Sequence, residues 1–136
     1  MRILFDTNVV LDVLLERNPF VRPASLLFEA VERRKITGLL CATTLTTIDY
    51  LVARARDRDT ARQGVAWLMQ GFEVAPVNRA VLANALSLNF DDFEDAVLHE
   101  AARLAGADGL VTRNAPDFRA ATLSVYTPAE LLAALA

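Results

Sequence analysis

Apolar residues along this chain fall into two rhythms. Short runs of bulky and β-branched residues alternate with longer segments in which apolar positions recur every three or four residues. That alternation is the signature of a parallel sheet whose strands are joined by crossover helices, an α/β fold. The short runs predict five strands: Arg2–Phe5, Gly38–Ala42, Phe72–Val77, Gly109–Thr112 and Leu123–Tyr126. The longer segments predict helices over Val9–Leu15, Pro23–Arg34, Thr60–Met69, Arg79–Leu88, Phe93–Ala105 and Pro128–Leu135. Another begins after the second strand, with Thr43 or Thr44 as its N-cap and Leu45, Ile48, Val52 and Ala55 as its apolar stripe. Gly71 and Gly106 stand where two of these helices should stop, and Pro128 occupies a first turn.

Composition narrows the picture. A chain of 136 residues is the size of one domain and can bury roughly two thirds of its unfolded surface, so residues 1–136 are expected to form a single domain. The chain is 54% hydrophobic and 23% charged, which excludes a disordered polymer. A brief apolar run ends at Asp6 after a single basic residue, Arg2, so neither a signal peptide nor a membrane span is expected and the cytoplasm is the default location. Cys41 is the sole cysteine, excluding an internal disulfide and a cysteine-rich zinc site.

The formal charge of −3 counts against a nucleic-acid partner, yet of the fourteen basic residues only Lys35 is not Arg. The arginines group at Arg33-Arg34 and at Arg54, Arg56, Arg58 and Arg62. A planar guanidinium suits phosphate. The same groups also read as solvated helix faces paired with Glu32, Asp57 and Asp59.

Candidate chemistry lies at the ends of the predicted strands. Asp6 directly follows the first strand, at the rim where open parallel sheets bind their ligands. Thr112, Arg113 and Asn114 follow the fourth, which the pattern places beside the first. Asp49 falls about one and a half turns into the helix after strand two, where it can lean toward the rim or face solvent near the positive helix end. Asp91, Asp92, Glu94 and Asp95 crowd four carboxylates into five positions; a divalent cation relieves such repulsion, although Asp92 and Asp95 also fit an N-capping pair. Asp117 can supply a further carboxylate or cap the turn at Pro116, and Arg113 can contact phosphate or pair with Asp117. His99, four residues after Asp95, shares its helical face and reads chiefly as a core residue. Oxygen donors with little His or Cys favour Mg²⁺ or Mn²⁺, and phosphodiester hydrolysis is the natural reaction class.

Taken together, Ile3-Leu4-Phe5-Asp6-Thr7-Asn8, Asp49 after Thr43-Thr44, Phe93-Glu94-Asp95-Ala96, and Val111-Thr112-Arg113-Asn114 with Asp117-Phe118 resemble a PIN domain over nearly the whole chain. The resemblance implies a three-layer α/β/α fold around a five-stranded parallel sheet. It also implies a metal-dependent ribonuclease acting on single-stranded RNA, as in the toxins of toxin–antitoxin pairs. Carried over by motif, Asp6 and Asp95 are the principal Mg²⁺ or Mn²⁺ ligands, Asp49 is the second acid and Asn114 the fourth polar position, these two holding a second metal ion or the attacking water, with Asp117 as an alternative carboxylate. Asn8, Thr112 and Arg113 are expected to face the substrate. An antitoxin protein and a homodimer are the implied partners. Two positions depart from the pattern: toxin-like members usually carry Glu where Asp49 stands and often Asp where Asn114 stands. The departures keep a second reading open, a catalytically silent PIN-like module for nucleic-acid binding or antitoxin docking. A phosphoacceptor receiver domain needs a Lys near the rim, whereas Lys35 precedes strand two. An aspartyl phosphatase needs a second Asp two residues after the first, where Asn8 stands.

Overall fold

In the computed structural model, which describes Met1–Ala136, five strands form one sheet in which every neighbouring pair is parallel. They are β1 (Arg2–Phe5), β2 (Thr37–Cys41), β3 (Glu73–Ala75), β4 (Gly109–Val111) and β5 (Ser124–Tyr126), in the order β3-β2-β1-β4-β5. The helices are α1 (Thr7–Leu14), α2 (Val21–Glu32), α3 (Ala42–Ala55), α4 (Arg58–Gly71), α5 (Arg79–Leu86), α6 (Phe93–Leu104) and α7 (Pro128–Leu135), with a 3-10 helix at Ala115–Phe118.

The period-two alternation of strand side chains divides the core in two. Ile3 and Phe5 of β1, Leu40 of β2 and Val111 of β4 pack under α1, α2, α3, α4 and α7. Leu4, Leu39, Cys41 and Leu110 point the other way, onto α5, α6 and Phe118. The result is the expected α/β/α sandwich with the sheet as its middle layer. On the first face Phe5, Phe28 and Phe72 pack edge to face, with ring centroids 5.1–5.7 Å apart. Gly38 is required there: a Cβ on it would stand 2.6 Å from the Phe72 ring.

Helix starts follow side-chain chemistry, with one correction. Asp57, Asn78, Asp92 and Thr127 each accept a bond from a first-turn amide. The helix after β2, expected to be capped by Thr43 or Thr44, instead starts at Ala42 with no side-chain cap. The two hydroxyls are engaged elsewhere: Thr44 Oγ1 lies 3.0 Å from Thr7 Oγ1, and Thr43 Oγ1 lies 3.2 Å from Cys41 Sγ. At the other end of α6, Gly106 adopts φ 77°, a left-handed conformation that closes the helix.

The sheet order locates the ligand-binding rim. From β1 the chain crosses to β2 on one side and returns to β4 on the other, so connections diverge at the carboxyl end of β1. Asp6 is the residue that emerges there. No helix is long and apolar enough to cross a membrane.

Candidate active site

Asp6 ends β1 and caps α1, its Oδ1 accepting from the Thr7 amide at 2.7 Å. Its backbone stays in the sheet, the amide donating to Val111 O at 2.9 Å. The other carboxylate oxygen accepts from Thr112 Oγ1 at 2.7 Å and from Asn8 Nδ2 at 3.3 Å. The Thr112 hydroxyl in turn accepts from the Asn114 amide at 3.0 Å. Four groups that the sequence placed at the rim, Asp6, Asn8, Thr112 and Asn114, therefore form one hydrogen-bonded unit across the β1–β4 junction. Asp6 is buried. Burial pushes its carboxyl above the usual range, opposed by the bonds from Thr112 and Thr7 and reinforced by the charges of Asp117 and Glu94.

Asp95 approaches from α6. Its amide is held by the Asp92 cap at 3.0 Å, leaving its carboxyl free to face the rim. That carboxyl is pushed up to about 7 by burial first, then by the charges of Asp6, Asp92, Asp117 and Glu94. Of the predicted capping pair only Asp92 caps the helix, since the Asp95 carboxyl makes no return bond to the Asp92 amide and feels the charge of Asp6 instead. The charges of Asp117 and Glu94 act on both Asp6 and Asp95, so two members of the predicted acid cluster, Glu94 and Asp95, lie near the rim. Asp91 turns outward to Arg119 at 2.7 Å.

Asp49 stands apart from this set. It makes an ion pair with Arg62 of α4 at 2.9 Å and contributes to neither raised carboxyl. The Arg group near it is partly engaged within the protein, since Arg54 lies over the Tyr50 ring. Arg113 pairs with neither Asp117 nor any other rim acid. Its side chain runs to Asp12 of α1, Nε donating to Oδ2 at 2.6 Å and a terminal nitrogen to Oδ1 at 3.2 Å. Asp12 also accepts from Arg17 Nε at 3.0 Å and is 1% exposed. Asp12 is not among the residues expected at the site. Its signal was present, as the one charged position in the apolar run Val9-Val10-Leu11-Asp12-Val13-Leu14. His99 is a core residue: Nε2 accepts from the Thr122 amide at 3.0 Å, which leaves the ring proton on Nδ1 facing Glu100 Oε1 at 3.3 Å.

The donor set fits a hard dication. It consists of oxygens, it is overloaded with negative charge, and no three acidic or histidine side chains converge tightly enough to enclose an ion by themselves. Mg²⁺ characteristically takes one or two carboxylates and completes its shell with water and phosphate oxygen.

A PIN domain family model matches residues 2–115. No protein with a curated description matches. Among solved structures, a toxin–antitoxin complex from Klebsiella pneumoniae is similar with a TM-score of 0.70 and 22% identity, over 92% of this chain and 96% of that one. VapBC2 from Rickettsia felis, bound to a DNA fragment from its promoter, gives 0.70 and 15%, over 93% and 98%. VapC20 of Mycobacterium tuberculosis, a toxin that cleaves the sarcin-ricin loop, gives 0.66 and 16%, over 79% and 86%.

Proposed function

The chain belongs to the PIN domain family, and from that membership we propose that it is a metal-dependent endoribonuclease cutting single-stranded RNA as the toxin of a toxin–antitoxin pair. The observation that carries the reading is the grouping of Asp6 and Asp95 at the carboxyl end of β1, where the charge of Asp6 raises the proton affinity of Asp95 and the charge of Asp117 raises that of both. Asp6 and Asp95 are the groups that would hold Mg²⁺ or Mn²⁺, with Asp117 and Asn114 toward the attacking water and Asp49 as the outlying second acid. Bound there, such an ion supplies charge neutralisation for the phosphate and acidifies a water at neutral pH.

The protein's own part is positioning. Thr112 and Asn8 hold Oδ2 of Asp6 and the Thr7 amide holds Oδ1, which keeps one lone pair for a ligand. Asn114 contributes an amide that can orient a water without adding charge. Asp95, whose proton affinity in the metal-free protein lies near neutrality, would release its proton on taking up a cation. An acidic rim repels RNA phosphate, so the cation serves binding as well as chemistry. The antitoxin partner is supported by the kind of complex in which similar folds are found.

The silent-module reading has its own observation: Asp49 is occupied by Arg62, and Asn114 is neutral. One experiment separates the two. A mixed single-stranded RNA pool is incubated with Mn²⁺ or Mg²⁺, with EDTA, and with Asp6→Asn. The nuclease reading expects cutting that is abolished by EDTA and lowered on the order of 10²-fold or more by Asp6→Asn. Absence of cutting with either metal installs the silent module in its place.

A further inference from the structure

Arg113 makes no contact with Asp6, and its surroundings form a second polar feature. Its guanidinium lies 3.9 Å from the centroid of the Phe20 ring and makes a forked contact with Asp12. Both groups hold it in place, and neither consumes it. Two of its N–H groups bond Asp12, and the remaining donors have no partner within the protein. They border a cavity of ≈ 250 Å³ formed by Phe20, Pro23, Arg113, Thr127, Pro128 and Ala129. The Arg113 side chain is a quarter exposed.

The charge balance is informative. One guanidinium is enough to neutralise a buried carboxylate. Asp12 holds two, Arg17 and Arg113, and it is almost completely buried. The cluster therefore carries one net positive charge, next to an acidic rim that is otherwise hostile to phosphate. The two regions are mechanically linked. The Arg113 amide donates to Asn8 Oδ1 at 3.3 Å while Asn8 Nδ2 donates to Asp6, and Arg17 donates to Asn8 O at 3.3 Å.

The geometry points to a backbone-phosphate subsite: the Arg113 cavity receives a phosphate of the RNA strand flanking the one that is cut. This rests on the ribonuclease reading and adds to it where the strand runs, from the Asp6 rim over Asn8 toward Phe20 and the start of α7. A guanidinium whose fork is pinned on one edge and stacked on one face offers its other edge to phosphate at little further entropic cost. The contact recognises backbone and carries no base preference.

The test uses binding, so it does not depend on turnover. A short single-stranded RNA is titrated by fluorescence anisotropy into Asp6→Asn protein, with each phosphate in turn replaced by a neutral methylphosphonate. One position is expected to lose affinity by about tenfold, the scale of a charge-assisted hydrogen bond. Adding Arg113→Gln should erase that sensitivity at that position alone. Methylphosphonate effects that stay additive with Arg113→Gln at every position would overturn the subsite while leaving the nuclease reading intact. If Asp6→Asn protein does not bind because the cation is lost with Asp6, the same comparison is made on protein with Asp6 intact and Ca²⁺ in place of Mg²⁺, and failure of that protein to bind RNA at all overturns both. If Arg113→Gln does not fold, Arg113→Lys gives the same comparison, since a point charge without the fork should keep only part of the sensitivity.

Discussion

At the scale of single residues, Asp95 makes the clearest demand. Its carboxyl sits at about 7 against an ordinary value of 3.8 because burial and the charge of Asp6 both disfavour ionisation. A folded state that holds a proton more tightly than the unfolded chain is favoured at low pH. That contribution is complete below about pH 4 and is lost as pH rises through 7. In metal-free protein, Asp95→Asn should therefore leave stability almost unchanged at pH 4 and raise it at pH 8 by about 1–2 kcal/mol after allowance for solvent screening. Chemical denaturation at the two pH values checks this, and an equal effect at both would show that the repulsion is not felt. Residue-scale chemistry was unevenly legible. Asp6 could be found because it interrupts an apolar strand, and Asp95 because it sits among like charges. The partner of Arg113 could not, because Asp12 and Arg113 are 101 positions apart and no local pattern joins them.

Among the elements, what the sequence revealed depended on how local the cause was. All five strands and the seven helices were expected from periodicity, and α7 has the expected bounds because Thr127, Pro128 and Glu130 write its capping box within four residues. The edge strand β3 is shorter than its apolar run. It pairs only with β2, and Phe72 turns into the core as the cap of α4 instead of extending the strand. The capping of α3 was misread because the Thr43 and Thr44 hydroxyls are drawn to Cys41 and Thr7. The Gly38 contact belongs to this scale too, since it sets how closely β2 approaches Phe72 at the end of α4. Gly38→Ala places a methyl 2.6 Å from a ring already locked between Phe5 and Phe28. It should cost about 1–3 kcal/mol, seen as a lower urea midpoint at constant slope by Trp67 fluorescence. Trp67 is a suitable reporter because it stacks on Phe28 at 5.8 Å. An unchanged midpoint would mean that Phe72 gives way freely.

For the whole molecule, the exposed apolar side chains are the unspent feature. Tyr50, Trp67, Met69, Leu82, Leu86 and Leu104 each expose two fifths or more of their surface. We propose that part of this area is covered by a second copy of the chain, giving a homodimer. Light scattering across a wide concentration range should return twice the 14.9 kDa chain mass, and a constant monomer mass would dismiss the dimer.

The order of strands in the sheet also has a consequence in time. The strand that ends in Asp6 occupies the middle of the sheet, and the hydroxyl that seats Asp6 comes from Thr112, 106 positions later. Ribosomes deliver these two groups in sequence, so the first acid of the site waits through most of translation for the residue that orients it. Contacts of such long range form late and slowly. A nascent chain that has not yet released β4 has no assembled rim, so whatever chemistry the rim carries is absent until that strand has emerged.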